Sequence, residues 1–361
     1  MQTLTKKIAV VGATGAVGRV ILDFLDELFP GEKELYLLAR ERSKGVELAC
    51  GSQVFKVSDL SKFDFSEVDL AFFSAGASIA ENFAPKAVEQ GCSVIDNSSR
   101  FRKDKNVPLV IPEVNGSVLD EVSVPMIISN PNCSTAQLLV ALKPVHDLFK
   151  IKRVDAVTFQ AVSGSGQIAI DELLSQTEKL LHGENISPSV YDSQIAFNVI
   201  SAGNLEDNFY TDEEMKISNE TKKILDDSIN ITATTVRVPV VYGHSIAAHI
   251  ETYKDIDQIA LEDKLSSQDG LIRHDSKDFL SPNPIEHAAG KNPVSVGRVR
   301  ADLWEKNRVN MWIVADNLRK GAALNSIQIL KKLLDKYEMF RLLIFFLLCP
   351  NLVFAQEGWS T

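Results

Sequence analysis

The sequence predicts an α/β protein: a doubly wound parallel sheet, followed by an α+β unit built on a mixed sheet. Three observations carry this. The first third of the 361 residues alternates short, continuously apolar runs with stretches whose apolar residues recur at a 3.6-residue period. A glycine-rich turn stands where the first such run meets the first such helix. From about residue 150 the runs lengthen and alternate, as strands do when one face is covered.

Lys7–Val11 is a β-branched run. Ala16–Phe29 places apolar residues at 17, 20, 21, 24, 25 and 28 and is closed by Pro30-Gly31, which predicts an amphipathic helix. Leu35–Ala39, Val68–Ser74 and Ser93–Asp96 read as further strands, and Ala77–Gln90 as a helix ended by Gly91. Apolar strands joined by helices imply a parallel sheet covered on both faces. Arg153–Ala161, Thr232–Val241, His244–Tyr253 and Val309–Ala315 read as longer strands, with helices at Ile168–Leu181 and Asp212–Ser228. The boundary is expected near residue 130. The expected units are residues 1–130, completed by a returning helix at 317–338; residues 131–316; and an atypical apolar tail, 339–361.

Composition narrows the classes. The chain is 45% apolar and 24% charged, ordinary for a globular protein and unlike a disordered or fibrous one. A net charge of −10 argues against a nucleic acid or an anionic membrane as the main partner. The cysteines at 50, 92, 133 and 349 are too sparse for a disulfide scaffold and too far apart for a metal knuckle, so no metal site is expected and a reducing cytoplasm is. In the tail, Leu342–Cys349 are eight unbroken apolar residues stopped by Pro350, too short for a membrane span, which needs about 20. Two readings stand for it: a fused reading frame unrelated to the fold, or a helix docking its apolar face on the body or on a second copy.

The turn after the first run is GATGAVG. Gly12 permits the tight turn, Gly15 lets backbone amides approach a pyrophosphate, and Gly18 allows close helix–sheet contact. Thr14, Ala16 and Val17 complete the loop and the first helical turn. This is the fingerprint of a Rossmann-type dinucleotide site. At the end of the second strand stand Arg40-Glu41-Arg42-Ser43-Lys44, three cations and a serine against one acid. A ribose 2′-hydroxyl favours an acidic partner there and a 2′-phosphate favours cations, so Arg42 and Ser43 point to NADP.

SNPNCST follows the apolar run Met126–Ile128 and precedes a helix, Ala136–Phe149. Cys133 therefore stands at a helix N-terminus, where the dipole and free amides lower a thiol pKa and offer donors to an oxyanion. With GATGAVG, ARERSKG, FSAG, DNSSRFR, PLVIPEVN, FQAVSGSG, EEMK, NETKKIL, RVPVVYGHS and DNLRKGAA in order over about residues 7–330, the chain resembles the aspartate-β-semialdehyde dehydrogenases. Arg40-Glu41 and Arg100 depart from the small residues usual there, and the tail matches nothing expected of the family.

The resemblance implies a catalytic and dimerisation function for the second domain, and a reversible NADP-dependent reductive dephosphorylation of β-aspartyl phosphate to aspartate semialdehyde. The pathway it implies leads to lysine, threonine and methionine. It makes Cys133 the nucleophile that carries a thioester, His244 the general acid/base and Gln160 the amide that orients the acyl group. Arg237 would bind the α-carboxylate, Glu213 the ammonium, and Lys216 with Arg102 the phosphate. Ser163, Gly164 and Asn317 would meet the nicotinamide half of the cofactor. A homodimer is implied, with the long strands of the second domain as its interface. The rival enzymatic reading is an N-acetyl-γ-glutamyl-phosphate reductase, whose acylated substrate gives Glu213 nothing to pair. A non-catalytic paralogue is the other; the presence of Cys133, Gln160, Arg237 and His244 speaks against it.

Overall fold

In the computed structural model, residues 7–274 and 281–348 are described, with side chains as far as residue 336. The elements run β1 (Ile8–Val11), α1 (Ala16–Leu28), β2 (Leu35–Ala39), β3 (Glu47–Cys50), β4 (Gln53–Lys56), β5 (Ser58–Asp59), β6 (Leu70–Phe73), α2 (Ala77–Glu89), β7 (Ser93–Asp96), α3 (Pro112–Asn115), α4 (Val118–Glu121) and β8 (Ile127–Ser129). Strands β5, β2, β1, β6, β7 and β8 form one wholly parallel sheet in that spatial order. Both faces of β1 are buried. Ile8 and Val10 face α1, while Ala9 and Val11 pack with Ala80 and Ala84 of α2. That is why the strands read as continuous apolar runs. The β3–β4 hairpin, absent from the sequence reading, carries Leu48 and Cys50 onto α1.

Helix α5 (Cys133–Phe149) leads into the second unit: β9 (Ile151–Gln160), α6 (Gln167–Leu181), β10 (Ile200–Ser201), α7 (Asp212–Ile224), β11 (Asn230–Arg237), β12 (His244–Thr252), α8 (Gln258–Ser266), β13 (Leu271–Arg273), β14 (Val294–Ala301) and β15 (Arg308–Ala315). Its seven-stranded mixed sheet is ordered β10-β11-β9-β12-β15-β14-β13. One face packs on α5 and α8 through Leu138, Leu142, Ile246, Ile250, Leu261 and Ile313. At about 1.5–3 kcal/mol for each large apolar side chain fully buried, this face alone is a strong anchor for α5. Val157, Phe159, Ala247 and Trp312, on the opposite side, are only half-buried.

Strand β11 ends at Arg237, short of the expected Val241, because Pro239 cannot donate to a sheet ladder. Helix α7 ends at Ile224 rather than Ser228. Helix α9 (Leu324–Leu348) returns to the first sheet, where Ile327, Leu330 and Leu333 join the cluster of Ile8, Ile21 and Leu25. The first ten residues of the apolar tail, 339–348, continue α9 without a break in the helix. Residues 349–361 lie outside the described residues. No helix among the described residues is long and apolar enough to cross a membrane.

Candidate active site

Four chain segments converge on one edge of the second sheet because of strand register. In the parallel pair β9–β11, Gln160 stands opposite Arg237, each the last residue of its strand. Strand β12 runs antiparallel to β9 and begins at His244, which pairs with Ala315, the last residue of β15. Gln160, Arg237, His244 and the following Asn317 thus meet at one strand-end line. Strand β8 of the first sheet delivers Asn130–Asn132 to the same place, and α5 starts there with Cys133.

Cys133 Sγ lies 3.2 Å from His244 Nε2. The Ala161 amide donates to Nδ1 of the same ring at 3.0 Å. An imidazole that accepts at Nδ1 carries its proton on Nε2 when neutral, so the N–H faces the sulfur. Burial, and then the charge of Arg237, push the His244 pKa well below its ordinary value. The ring is therefore neutral near pH 7.

The thiol departs from expectation. Asn132 caps α5, its Oδ1 accepting from the amides of Ser134 and Thr135 at 2.9 and 3.3 Å, so the helix N-terminus is as foreseen. Cys133 has intermediate exposure, yet the protein packed around it desolvates the thiol. Burial and the carboxylate of Glu213 outweigh Arg237, Arg102 and the Ser134 amide, and push the pKa up to about 11 rather than down. The resting pair is a thiol facing a neutral imidazole.

Around this pair, Gln160 is buried and donates to Ser134 Oγ at 3.1 Å. Arg237 donates from Nη1 to the Ala161 carbonyl at 2.8 Å, while its buried Nε has no partner. An orphaned guanidinium donor beside a cleft is the chemistry of a carboxylate site. Gly164 lies tight against the pair: a Cβ there would stand 3.2 Å from Arg237 Nη1 and 3.4 Å from His244 Nε2, so the guanidinium would have to shift by a few tenths of an ångström. Ser163 and Asn317 bond each other, and Asn317 Oδ1 also accepts from the Gly243 amide at 3.0 Å, which fixes the turn before His244.

Helix α7 supplies the charged side. Lys216 Nζ lies 2.6 Å from Glu213 Oε1 and 2.9 Å from Asp212 Oδ2. Burial works to raise the Glu213 pKa, but Lys216 and the Asn132 amide group hold it below the ordinary carboxylate value, so it is ionised. Two clefts meet at this helix. One, of about 700 Å³, is lined by Gly164, Tyr191, Glu213 and Arg237. The other, of about 850 Å³, is lined by Arg100, Arg102 and Lys216. Arg102 is less free than the sequence implied: it donates to the Asn130 and Asn97 carbonyls and to Glu220, leaving only its remaining N–H groups for a ligand.

The glycine turn lies at the C-terminal edge of the first sheet, the edge from which β8 leads to Cys133. Gly12 has φ +87°, and a Cβ on it would come within 2.9 Å of the Ser74 backbone. A Cβ on Gly18 would come within 2.3 Å of the Gly12 carbonyl. Helix α1 begins at Ala16 with no acidic residue in its first turn, so its positive end is uncancelled. Beside it a cleft of about 240 Å³ is lined by Gly12, Thr14, Gly15, Arg40, Arg42, Ser43, Leu60 and Ile79, with no carboxylate among them. These residues fit a dinucleotide carrying a 2′-phosphate.

Residues 7–122 match the model of the semialdehyde dehydrogenase NAD-binding domain, and residues 142–320 that of the semialdehyde dehydrogenase dimerisation domain. The chain belongs to the aspartate-semialdehyde dehydrogenase family. It is 46% identical to the aspartate-semialdehyde dehydrogenase of Shewanella sp. (strain DB6705) over 333 residues, covering 91% of this chain and 98% of the relative. It is 47% identical to aspartate-semialdehyde dehydrogenase 2 of Vibrio cholerae over the same shares. Among solved structures, aspartate semialdehyde dehydrogenase II of Vibrio cholerae complexed with ASA superposes with a TM-score of 0.89 at 45% identity, covering 93% of this chain and all of that one. The enzyme of Candida albicans with NADP gives 0.70 at 25% identity, covering 92% and 99%.

As a member of this family the chain is an oxidoreductase with an α/β fold, and the geometry adds residues that sequence reasoning missed. Asn132, next to the nucleophile, links the cap of α5 to Glu213 through an Nδ2–Oε2 bond of 2.9 Å. Its place before a helix was a legible N-cap signal. Tyr191, whose ring lies 5.9 Å from the Arg237 guanidinium, comes from an irregular excursion with no sequence signal. Glu220 stood inside a quoted motif without a role.

Proposed function

We propose that the chain catalyses the reversible, NADP-dependent conversion of β-aspartyl phosphate to aspartate semialdehyde and phosphate through a thioester on Cys133. The observation that carries this is the 3.2 Å contact of Cys133 with His244, set between the orphaned donor of Arg237 and the ionised Glu213. The Cys133 thiol passes its proton to an oxygen of the acyl phosphate as the sulfur attacks the acyl carbon; the C–S bond of the thioester forms, the C–O bond to phosphate breaks, and the proton leaves with the phosphate. His244 directs Nε2–H at the sulfur and then at the oxygen of the tetrahedral adduct; its tautomer narrows the acid/base role implied by the family resemblance to hydrogen-bond donation. Gln160 orients the acyl group. Arg237 takes the α-carboxylate, Glu213 the ammonium, and Lys216 with the free donors of Arg102 the phosphate.

Gly12, Thr14, Gly15, Ala16, Val17 and Gly18 would hold the pyrophosphate, and Arg42 with Ser43 the 2′-phosphate. Ser163, Gly164 and Asn317 would border the nicotinamide. When bound, that ring supplies the hydride that reduces the thioester. A half-buried, ionised Glu213 favours a substrate with a free ammonium over an N-acylated one. We place the enzyme in the cytoplasm, in the pathway to lysine, threonine and methionine. We also assign it a homodimer, paired through the half-buried sheet face of Val157, Phe159, Ala247 and Trp312.

Cys133→Ala tests the reading. Phosphate-dependent reduction of NADP with aspartate semialdehyde is expected to vanish while NADP still raises the melting temperature. Ordinary turnover in the variant would exclude the thioester route.

A further inference from the structure

Glu220 is a carboxylate 3% exposed that the proposed reaction does not use. It shares one face of α7 with Glu213 and Lys216, at spacings of three and seven residues from Glu213. Its two oxygens serve two different parts of the site. Oε1 accepts from Arg102 Nη1 at 3.1 Å, and Oε2 accepts from the backbone amide of Asn132 at 2.7 Å. The Asn132 amide precedes α5 and so has no helical carbonyl to bond; without Glu220 it is a buried donor with no partner. Arg102 in turn holds the carbonyl of Asn97, just after β7, and that of Asn130, in the turn between β8 and α5 that presents Cys133.

We infer that Glu220 is a positioning residue of the reaction: its carboxylate ties Arg102, on the phosphate side, to the Asn132–Cys133 turn, and so fixes the nucleophile relative to the leaving group. This rests on the assignment of Cys133 as nucleophile and Arg102 as phosphate ligand. Glu213 grips the same turn from the other side through Asn132 Nδ2. One helix therefore holds the nucleophile's cap at two points, and the two carboxylates differ in role: Glu213 is only half-buried and can meet substrate, whereas Glu220, 3% exposed at the edge of the other cleft, has its two oxygens taken by Arg102 and Asn132.

Glu220→Gln keeps the volume but leaves one oxygen for two donors and no charge against Arg102. In the full-length enzyme, assayed as phosphate-dependent oxidation of aspartate semialdehyde, kcat is expected to fall about tenfold and the phosphate KM to rise about tenfold, with the semialdehyde KM changed less than about twofold. The double variant R102Q/E220Q is expected to lose no more than R102Q alone, because both changes break one linkage. Unchanged kcat and phosphate KM in folded E220Q overturn the inference. So does a lower phosphate KM at full kcat, which would make Glu220 a charge balance only, and so do losses that multiply in the double variant. Should E220Q fail to fold by circular dichroism, Glu220→Asp, which keeps the charge but cannot span both donors, carries the same readouts. Wild-type protein without this activity would refute the catalytic reading itself; wild-type activity with E220Q unaffected refutes this inference alone.

Discussion

At the residue scale the chemistry turns on a sulfur and a ring nitrogen 3.2 Å apart whose protonation states are set by their surroundings. A residue at a helix N-terminus is expected to ionise easily, but Cys133 is also enclosed by protein and faces Glu213, and these costs exceed what the helix end returns. The thiol is raised to about 11, so at neutral pH the free enzyme holds it protonated, and the thiolate fraction grows as pH rises toward that value. Alkylation of Cys133 by iodoacetamide in the free enzyme is therefore expected to quicken about tenfold per pH unit from neutrality upward. A plateau reached below pH 8 would show that the helix end wins. The Ala161 amide at Nδ1 has the complementary effect on His244, since a proton on that nitrogen would set two N–H groups face to face.

At the scale of elements, four strand termini and one helix start make the site. Strands β9 and β11 run parallel and in register, which sets Gln160 beside Arg237; a one-residue slip would turn one of them to the opposite face. The glycine turn between β1 and α1 works the same way, placing a helix end where an anion can approach backbone amides. The cofactor's second phosphate site belongs to the turn after β2, where Arg40, Arg42 and Ser43 line a cleft that holds no carboxylate. Arg42→Ala is accordingly expected to weaken NADP binding about tenfold or more in a fluorescence titration and leave NAD binding within about twofold. Equal losses for both would remove the turn from 2′-phosphate recognition.

At the scale of the whole molecule, the nucleophile emerges from one sheet and its partners from the other, so the reaction depends on the two sheets being locked together. Helix α5 does this, starting at the edge of the first sheet and burying Leu138, Leu142 and Val145 under the second. The half-buried face on the far side of the second sheet is the surface assigned to self-association. Ala247→Arg, at its centre, is expected to shift sedimentation from dimer to monomer with an unchanged circular dichroism spectrum; a dimer that persists would place the interface elsewhere. Much of this was legible in the chain alone. The doubly wound sheet, the glycine turn, the basic turn after β2 and the cysteine at a helix start are local patterns, written in residues close in sequence, and periodicity and capping chemistry report such patterns directly. What the fold decided is of another kind. Cys133 and His244 are 111 positions apart, and Glu220 reaches Asn132 across 88. Their meeting depends on strand register and helix packing, and the pKa of each group on how completely neighbours from distant segments exclude water. No window of sequence contains those neighbours, so the direction of the thiol's pKa shift belonged to the tertiary structure.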